Sequence, residues 1–171
     1  MPKISVITIT NRELYLSNQI DALANQTFED FEWVLVDSYC ENRSKRIRRM
    51  VASTFPLRHV ADKATGFYAT SQAFNTGIIN SSGKLLFFMS DYILPHPETL
   101  ERHWQIYQKY PNALISGRSI RVDCSPFTLD SLLNNPSNKE QISGKDFRAG
   151  INQNMVWIDD YLYEVKPTTS P

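Results

Sequence analysis

The chain is poor in the features that announce the commoner nucleotide and metal enzymes. Only six of its 171 residues are glycine. None builds a G-x-G-x-x-G after the first strand-like run or a G-x-x-x-x-G-K-[ST] anywhere, which argues against dinucleotide and P-loop sites. The G-x-G loop that nucleotidyltransferases place after their first strand is absent too. The two cysteines, Cys40 and Cys124, have no metal-ligand spacing. They read as reduced thiols, with a single disulfide left open. Cys40 has no evident base beside it, so nucleophilic catalysis has no support. His59, His96 and His103 share no ligand spacing, which argues against a metal hydrolase. Net charge is also lacking. Lys+Arg and Asp+Glu both number 18, so no global field favours nucleic acid or an anionic membrane as partner. No apolar run reaches the ~20 residues that span a bilayer. Met1-Pro2-Lys3 leads straight into a strand-like run, so no signal peptide is expected and the expected location is cytoplasmic.

What is present is a chain able to bury roughly 70% of its unfolded surface, most simply as one domain. Aromatics at 12% and hydrophobics at 42% exclude disorder. Ile4 to Thr10 (ISVITIT) is β-branched and apolar, a buried strand. A helix follows with Leu16, Ile20, Leu23 and Ala24 on one face. Phe31 to Val36 forms a second strand, closing on Asp37-Ser38. Arg43 to Ala52 reads as a basic helix with Ile47, Met50 and Val51 inward. Its Arg43, Lys45, Arg46, Arg48 and Arg49 read as a solvated face, a phosphate or acidic-acceptor contact being the alternative. Leu57 to Ala61 makes a third strand, ending at Asp62. After Gly66 comes a helix with Phe67, Ser71, Phe74 and Ile78 on one side.

Leu85 to Met89 is five apolar residues in a row, the pattern of a strand buried on both faces in mid-sheet. It stops at Ser90-Asp91. Pro97 and Glu98 start another helix, lined by Leu100, Trp104 and Tyr107. Ala113 to Val122 alternates like an outer strand. From Asp123 to Gly150 the pattern fades into loop, and Asn154 to Val165 suggests a last strand.

Strand and helix alternate four times, which predicts an α/β fold with a mostly parallel central sheet and helices on both faces. Asp37, Asp62 and Asp91 each follow a strand, so a parallel sheet gathers them along one edge, where open α/β sheets bind ligands. Carboxylates there suit hydrogen bonds to a base or ribose, or holding a divalent metal against phosphates.

Four segments, in order, carry a family resemblance. They are ISVITIT with Asn11-Arg12, QTFEDFEWVLVDS, AFNTGIINSSGKLLFFMSD and ILPHPETLERH. Covering roughly Ile4 to Tyr110, they resemble the family 2 glycosyltransferases of the GT-A fold, which use nucleotide-diphospho-sugars. The resemblance implies a Rossmann-like donor half over residues 1–122, with 123–171 as the acceptor-side loop region and C-terminal strand of the same domain. It implies donor contacts at Thr8, Thr10 and Arg12, and Asp37 or Ser38 facing the base. Asn75 would shape the nucleotide pocket, unless it caps or packs a helix. Asp91, as the last acid of the family's DxD, would bind Mn²⁺ or Mg²⁺. The expected reaction is metal-assisted, inverting transfer of a sugar, from a UDP-sugar, to a glycan or other hydroxyl acceptor.

The departures from the family pattern are specific. DxD reads Met89-Ser90-Asp91, or Asp91-Tyr92 in the register set by Pro97, and either way one carboxylate remains. The usual Asp-Asp after the second strand is Asp37-Ser38. Inverting members carry their catalytic base well downstream. Asp159, Asp160 and Glu164 are the late candidates, with a surface or structural role as the alternative for the first two. Pro171 falls about where the acceptor half begins, which leaves three readings: a truncated chain, one domain of a longer protein, or a minimal transferase. A nucleotide-sugar-binding module without a base is the alternative function, and an α/β interaction domain that has lost the site is a third.

Overall fold

The computed structural model describes residues 1–11, 16–63, 69–91 and 93–117, with the backbone of 155–157 and 162–165. Two compact units divide the chain, Met1–Glu101 and Arg102–Pro171. Arg12, Asp159 and Asp160 lie outside the described residues, as does the expected loop from Asp123 to Gly150.

The first unit is built on a parallel sheet of β1 (Ile4–Thr10), β2 (Phe31–Asp37), β3 (Leu57–Ala61) and β4 (Leu85–Ser90), in the order β3-β2-β1-β4. β1 and β3 coincide with the runs read from sequence, and β2 and β4 each extend one residue beyond theirs; the largely apolar runs of β1 and β2 suit a sheet covered on both sides. All seven residues of β2 are buried, and six of seven in β1. The core therefore lies on β1 and β2.

The Leu85–Met89 run corrects an expectation. It forms β4, but β4 ends the described sheet with β1 as its neighbour, so only Met89 is fully buried and Phe88 is 48% exposed. A run of apolar residues states how much a strand would gain from burial, not where in the sheet it lies.

Register sorts the faces. Ile7, Ile9, Val34, Val36, Val60 and Leu86 point to one side and meet Ala73 and Phe74 of α3 (Ala69–Ile79). The buried face of α3 is Ala73 and Gly77; Ile78, expected inward, is partly exposed. Small residues let this helix lie close on the sheet, and a Cβ at Gly77 would collide with Ile7 Cγ2. The opposite face carries Val6, Thr8, Trp33, Leu35 and His59, and from it Asp37 meets α2 (Cys40–Val51). Helix α1 (Leu16–Ala24) packs beside α2. In α2 the inward residues are Arg43, Ile47 and Val51, while Met50 is exposed. Helices thus cover both faces of the sheet.

At the amino-terminal edge, Glu32 locks the turn after α3. Its Oε1 accepts from Ser5 Oγ (2.7 Å), the Ser82 amide (2.6 Å) and Ser82 Oγ (2.7 Å), and Oε2 from Arg58 Nε (2.8 Å). Burial raises its pKa, but the bonds from Ser82, Ser5 and Arg58 outweigh that and hold it below the usual carboxylate range. Gly83 fits because a Cβ there would lie 2.5 Å from the Ser5 amide nitrogen.

Helix α4 (Thr99–Lys109) leads into the second unit, whose described strands are β5 (Leu114–Gly117), β6 (Met155–Trp157) and β7 (Leu162–Val165). They pair antiparallel in the order β5-β7-β6. The expected single last strand is therefore two, and Ala113–Val122 supplies a short strand to this sheet. Glu164 lies on β7, opposite Ile115 and Val156.

Candidate functional site at the carboxyl edge of the parallel sheet

The strand order sets the site. β1 lies between β2 and β4, and the chain reaches these two neighbours by crossovers on opposite faces. The carboxyl ends of β1 and β4 therefore flank the topological switch point where open α/β sheets bind ligands. Asp62, Asp37, Thr10 and Asp91 follow one another along this edge, at the ends of β3, β2, β1 and β4.

Asp91 stands at the switch point. It is buried, and its Oδ2 accepts from Thr10 Oγ1 at 2.8 Å. The Ile93 amide donates to the Ser90 carbonyl (3.0 Å), closing a turn with Asp91 as its second residue. Thr10 is buried as well, and its carbonyl accepts from the Ser38 amide at 3.0 Å, which ties the ends of β1 and β2 together.

Asp37 is handled differently. It has no exposed surface. Arg43 reaches it with both Nε (2.7 Å to Oδ2) and Nη2 (to Oδ1). His59 Nε2 lies 2.8 Å from Oδ2 and must donate, because an ionised carboxylate only accepts. The Tyr39 amide donates to Oδ1 at 2.8 Å. Burial pushes this carboxyl up, yet the His59, Arg43 and Tyr39 bonds and the Arg43 charge prevail and lower its pKa to about 2. Asp37 is thus an ionised anchor that fixes α2 and β3 to the end of β2.

The other expected donor residues are spread over the edge and the core. Thr8 is buried, accepting from Trp33 Nε1 at 2.9 Å. Ser38 is exposed, its Oγ 3.4 Å from Asp62 Oδ2. Asn75 is exposed on α3. Cys40 keeps a free thiol whose pKa is raised by burial and then by the charge of Asp37, the opposite of an activated nucleophile.

Two glutamines with no site role expected from the sequence brace this edge, Gln26 having been read only as part of the QTFEDFEWVLVDS segment. Gln19, fully buried on α1, donates through Nε2 to the carbonyls of Ser90 (2.8 Å) and Ile93 (3.1 Å). Gln26 donates to the His96 carbonyl (2.9 Å) and accepts from the Leu100 amide (3.2 Å). Beside it the Thr27 amide donates to the Pro97 carbonyl at 2.9 Å. The Gln-Thr pair thus grips the proline-containing segment before α4. For Gln19 the legible signal was its place between Leu16 and Leu23 in the apolar stripe of α1, where a polar residue is out of pattern.

As a metal centre the edge is lean. Among the described residues no group of three or more His, Cys, Asp or Glu is arranged to hold an ion. Met89, two positions before Asp91, is buried and brings a thioether rather than an oxygen. A divalent ion here fits only with one protein carboxylate, the remaining oxygens coming from phosphates and water, a shell that Mg²⁺ accepts.

A sequence model of the family described as glycosyl transferase family 2 matches residues 5–156. The chain belongs to glycosyl transferase family 2. One curated relative is the glycosyltransferase AglE of Haloferax volcanii, 31% identical over 107 residues, which span 60% of this chain and 34% of AglE. Among solved structures, a 1–349 fragment of TarS from S. aureus in complex with UDP-GlcNAc matches with a TM-score of 0.54 and 20% identity, over 72% of this chain and 37% of the fragment. A second S. aureus TarS structure matches with the same TM-score at 19% identity, over 72% of this chain and 23% of its own. These likenesses carry the GT-A fold to this family 2 chain, which spans about a third of the relatives it matches. Among the described residues no helix is long and apolar enough to cross a membrane.

Proposed function

We propose that this chain carries the donor-binding half of a glycosyltransferase that moves a sugar from a UDP-sugar to a hydroxyl, on a glycan or a related acceptor. The observation that supports it most is Asp91, buried at the β1–β4 switch point and oriented by Thr10. The nucleoside would lie toward the end of β2, where Ser38 is exposed, with Arg12 and Asn75 as further donor contacts. The diphosphate would lie toward Asp91.

In the transfer, the acceptor oxygen attacks the anomeric carbon while the bond to the diphosphate oxygen breaks, and the acceptor proton passes to a general base. One-step attack of this kind inverts the anomeric centre. Asp91 would hold Mn²⁺ or Mg²⁺ with the diphosphate, and that ion would neutralise the charge of the departing nucleoside diphosphate. Glu164, Asp159 and Asp160 are the base candidates of this chain.

A second reading, a nucleotide-sugar-binding module without turnover, is favoured by one observation. The position of the family's first DxD acid is Met89, whose side chain is packed inside. Calorimetry with UDP-, GDP- and dTDP-sugars, with and without Mn²⁺, combined with an assay for released nucleoside diphosphate, separates the two. UDP-sugar binding strengthened by Mn²⁺, with UDP release, is the expected result. Binding without release favours the module, and no binding of any donor rules out both.

A further inference from the structure

We propose that Gln19 is a positioning residue for Asp91. The proposal rests on the reading of Asp91 as the phosphate-end residue of the donor site. Gln19 lies on the inward stripe of α1 with no exposed surface, where an apolar side chain would pack without polar cost. Its amide is instead committed to two carbonyls, Ser90 at 2.8 Å and Ile93 at 3.1 Å. Only the NH₂ end can meet two acceptors, so the orientation is set by chemistry. The other end, Oε1, is buried and has no hydrogen-bond partner among the described residues. An unpaired buried oxygen is unfavourable. What this residue contributes is therefore the grip on two carbonyls rather than packing.

Those carbonyls bracket Asp91. Ser90 O already accepts from the Ile93 amide across the turn, so Gln19 adds a second donor to the same oxygen and ties both ends of the turn to α1. Thr10 then orients the carboxylate from β1. Backbone and side chain of Asp91 are thus fixed by different elements, α1 and β1. These ties set where the carboxylate stands, and a misplaced ligand-holding carboxylate loses most of its effect.

The test is made on the full chain with Gln19→Met, which keeps length and apolar packing but removes both donors. Gln19→Asn, which keeps the amide one methylene too short, is the second variant. Hydrogen exchange of the Ile93 amide reads the turn directly, with the Ser38 amide as control. The expected result in either variant is at least about tenfold faster exchange at Ile93 and none at Ser38, with a cooperative melting transition retained. Affinity for UDP in the presence of Mn²⁺ is expected to fall about tenfold. In an Asp91→Ala background, Gln19→Met is expected to cause no further loss, because it acts through Asp91. Unchanged Ile93 exchange, or an equal loss of UDP affinity in that background, would overturn the proposal. If Asp91→Ala alone leaves UDP binding intact, the donor-site reading fails, and Ile93 exchange still decides whether Gln19 holds the turn.

Discussion

Asp37 and Asp91 stand on the same sheet edge at the ends of the two strands that flank β1, both buried, and the protein surrounds them differently. Asp37 is surrounded by Arg43, His59 and the Tyr39 amide, which between them occupy both of its oxygens. Asp91 accepts from the Thr10 hydroxyl of β1, and the carbonyls of Ser90 and Ile93 on either side of it are held by the Gln19 amide of α1. The first arrangement joins three elements around a charge and leaves it nothing further to bind. The second sets a carboxylate at the switch point, with the Thr10 hydroxyl on its Oδ2 and the turn that carries it tied to α1. An acid at a strand's end is therefore not a site in itself. What decides is where along the edge it stands and which groups meet its oxygens.

The sharpest break of this contrast is Asp37→Ala. It leaves Arg43 as a buried charge without its partner, and unfolding free energy in urea is expected to fall by about 3–5 kcal/mol. Arg43→Met together with Asp37→Leu should recover much of that loss, since apolar replacement of a whole buried pair is tolerated.

Acid should expose the Asp37 anchor as well. The pKa of Asp37, about 2 in the folded chain, is depressed from the ordinary 3.8. Its contribution is therefore complete above pH 4 and lost as pH falls toward 2. It is on the order of 2 kcal/mol. Urea titrations across that range should show a steep acid limb in the wild type and a flatter one in Asp37→Asn.

Smaller again is Thr10→Val, which removes the hydroxyl from Asp91 and keeps the shape. Stability is expected to change by about 1 kcal/mol, while donor turnover falls about tenfold, as happens when the orienting partner of a ligand-holding group is lost. The melting temperature and the initial rate with a UDP-sugar, measured on one preparation, check both halves.

Much of the fold was legible in the residues because strand formation here follows from local composition. ISVITIT and LRHVA become β1 and β3 with the ends read from sequence. Lateral order was not legible: the longest apolar run became β4 at the end of the described sheet, and the buried centre fell to β1 and β2. The edge that carries the site follows from parallel strands alone, so Asp37, Asp62 and Asp91 could be named together. Their different fates could not, because the partners that decide them arrive from six (Arg43), 22 (His59) and 81 (Thr10) residues away. Gln19 reaches Ser90 across 71 residues, and its polarity within the apolar stripe of α1 was the one local hint.

The central claim is that Asp91, and not Asp37, meets the donor's diphosphate. It is tested most directly by calorimetric titration of UDP-GlcNAc at increasing Mn²⁺ into wild type and Asp91→Asn, with melting curves for both. Mn²⁺ is expected to strengthen binding to the wild type and to have no such effect on Asp91→Asn, whose melting temperature stays near that of the wild type. Equal metal dependence in the two proteins would contradict it.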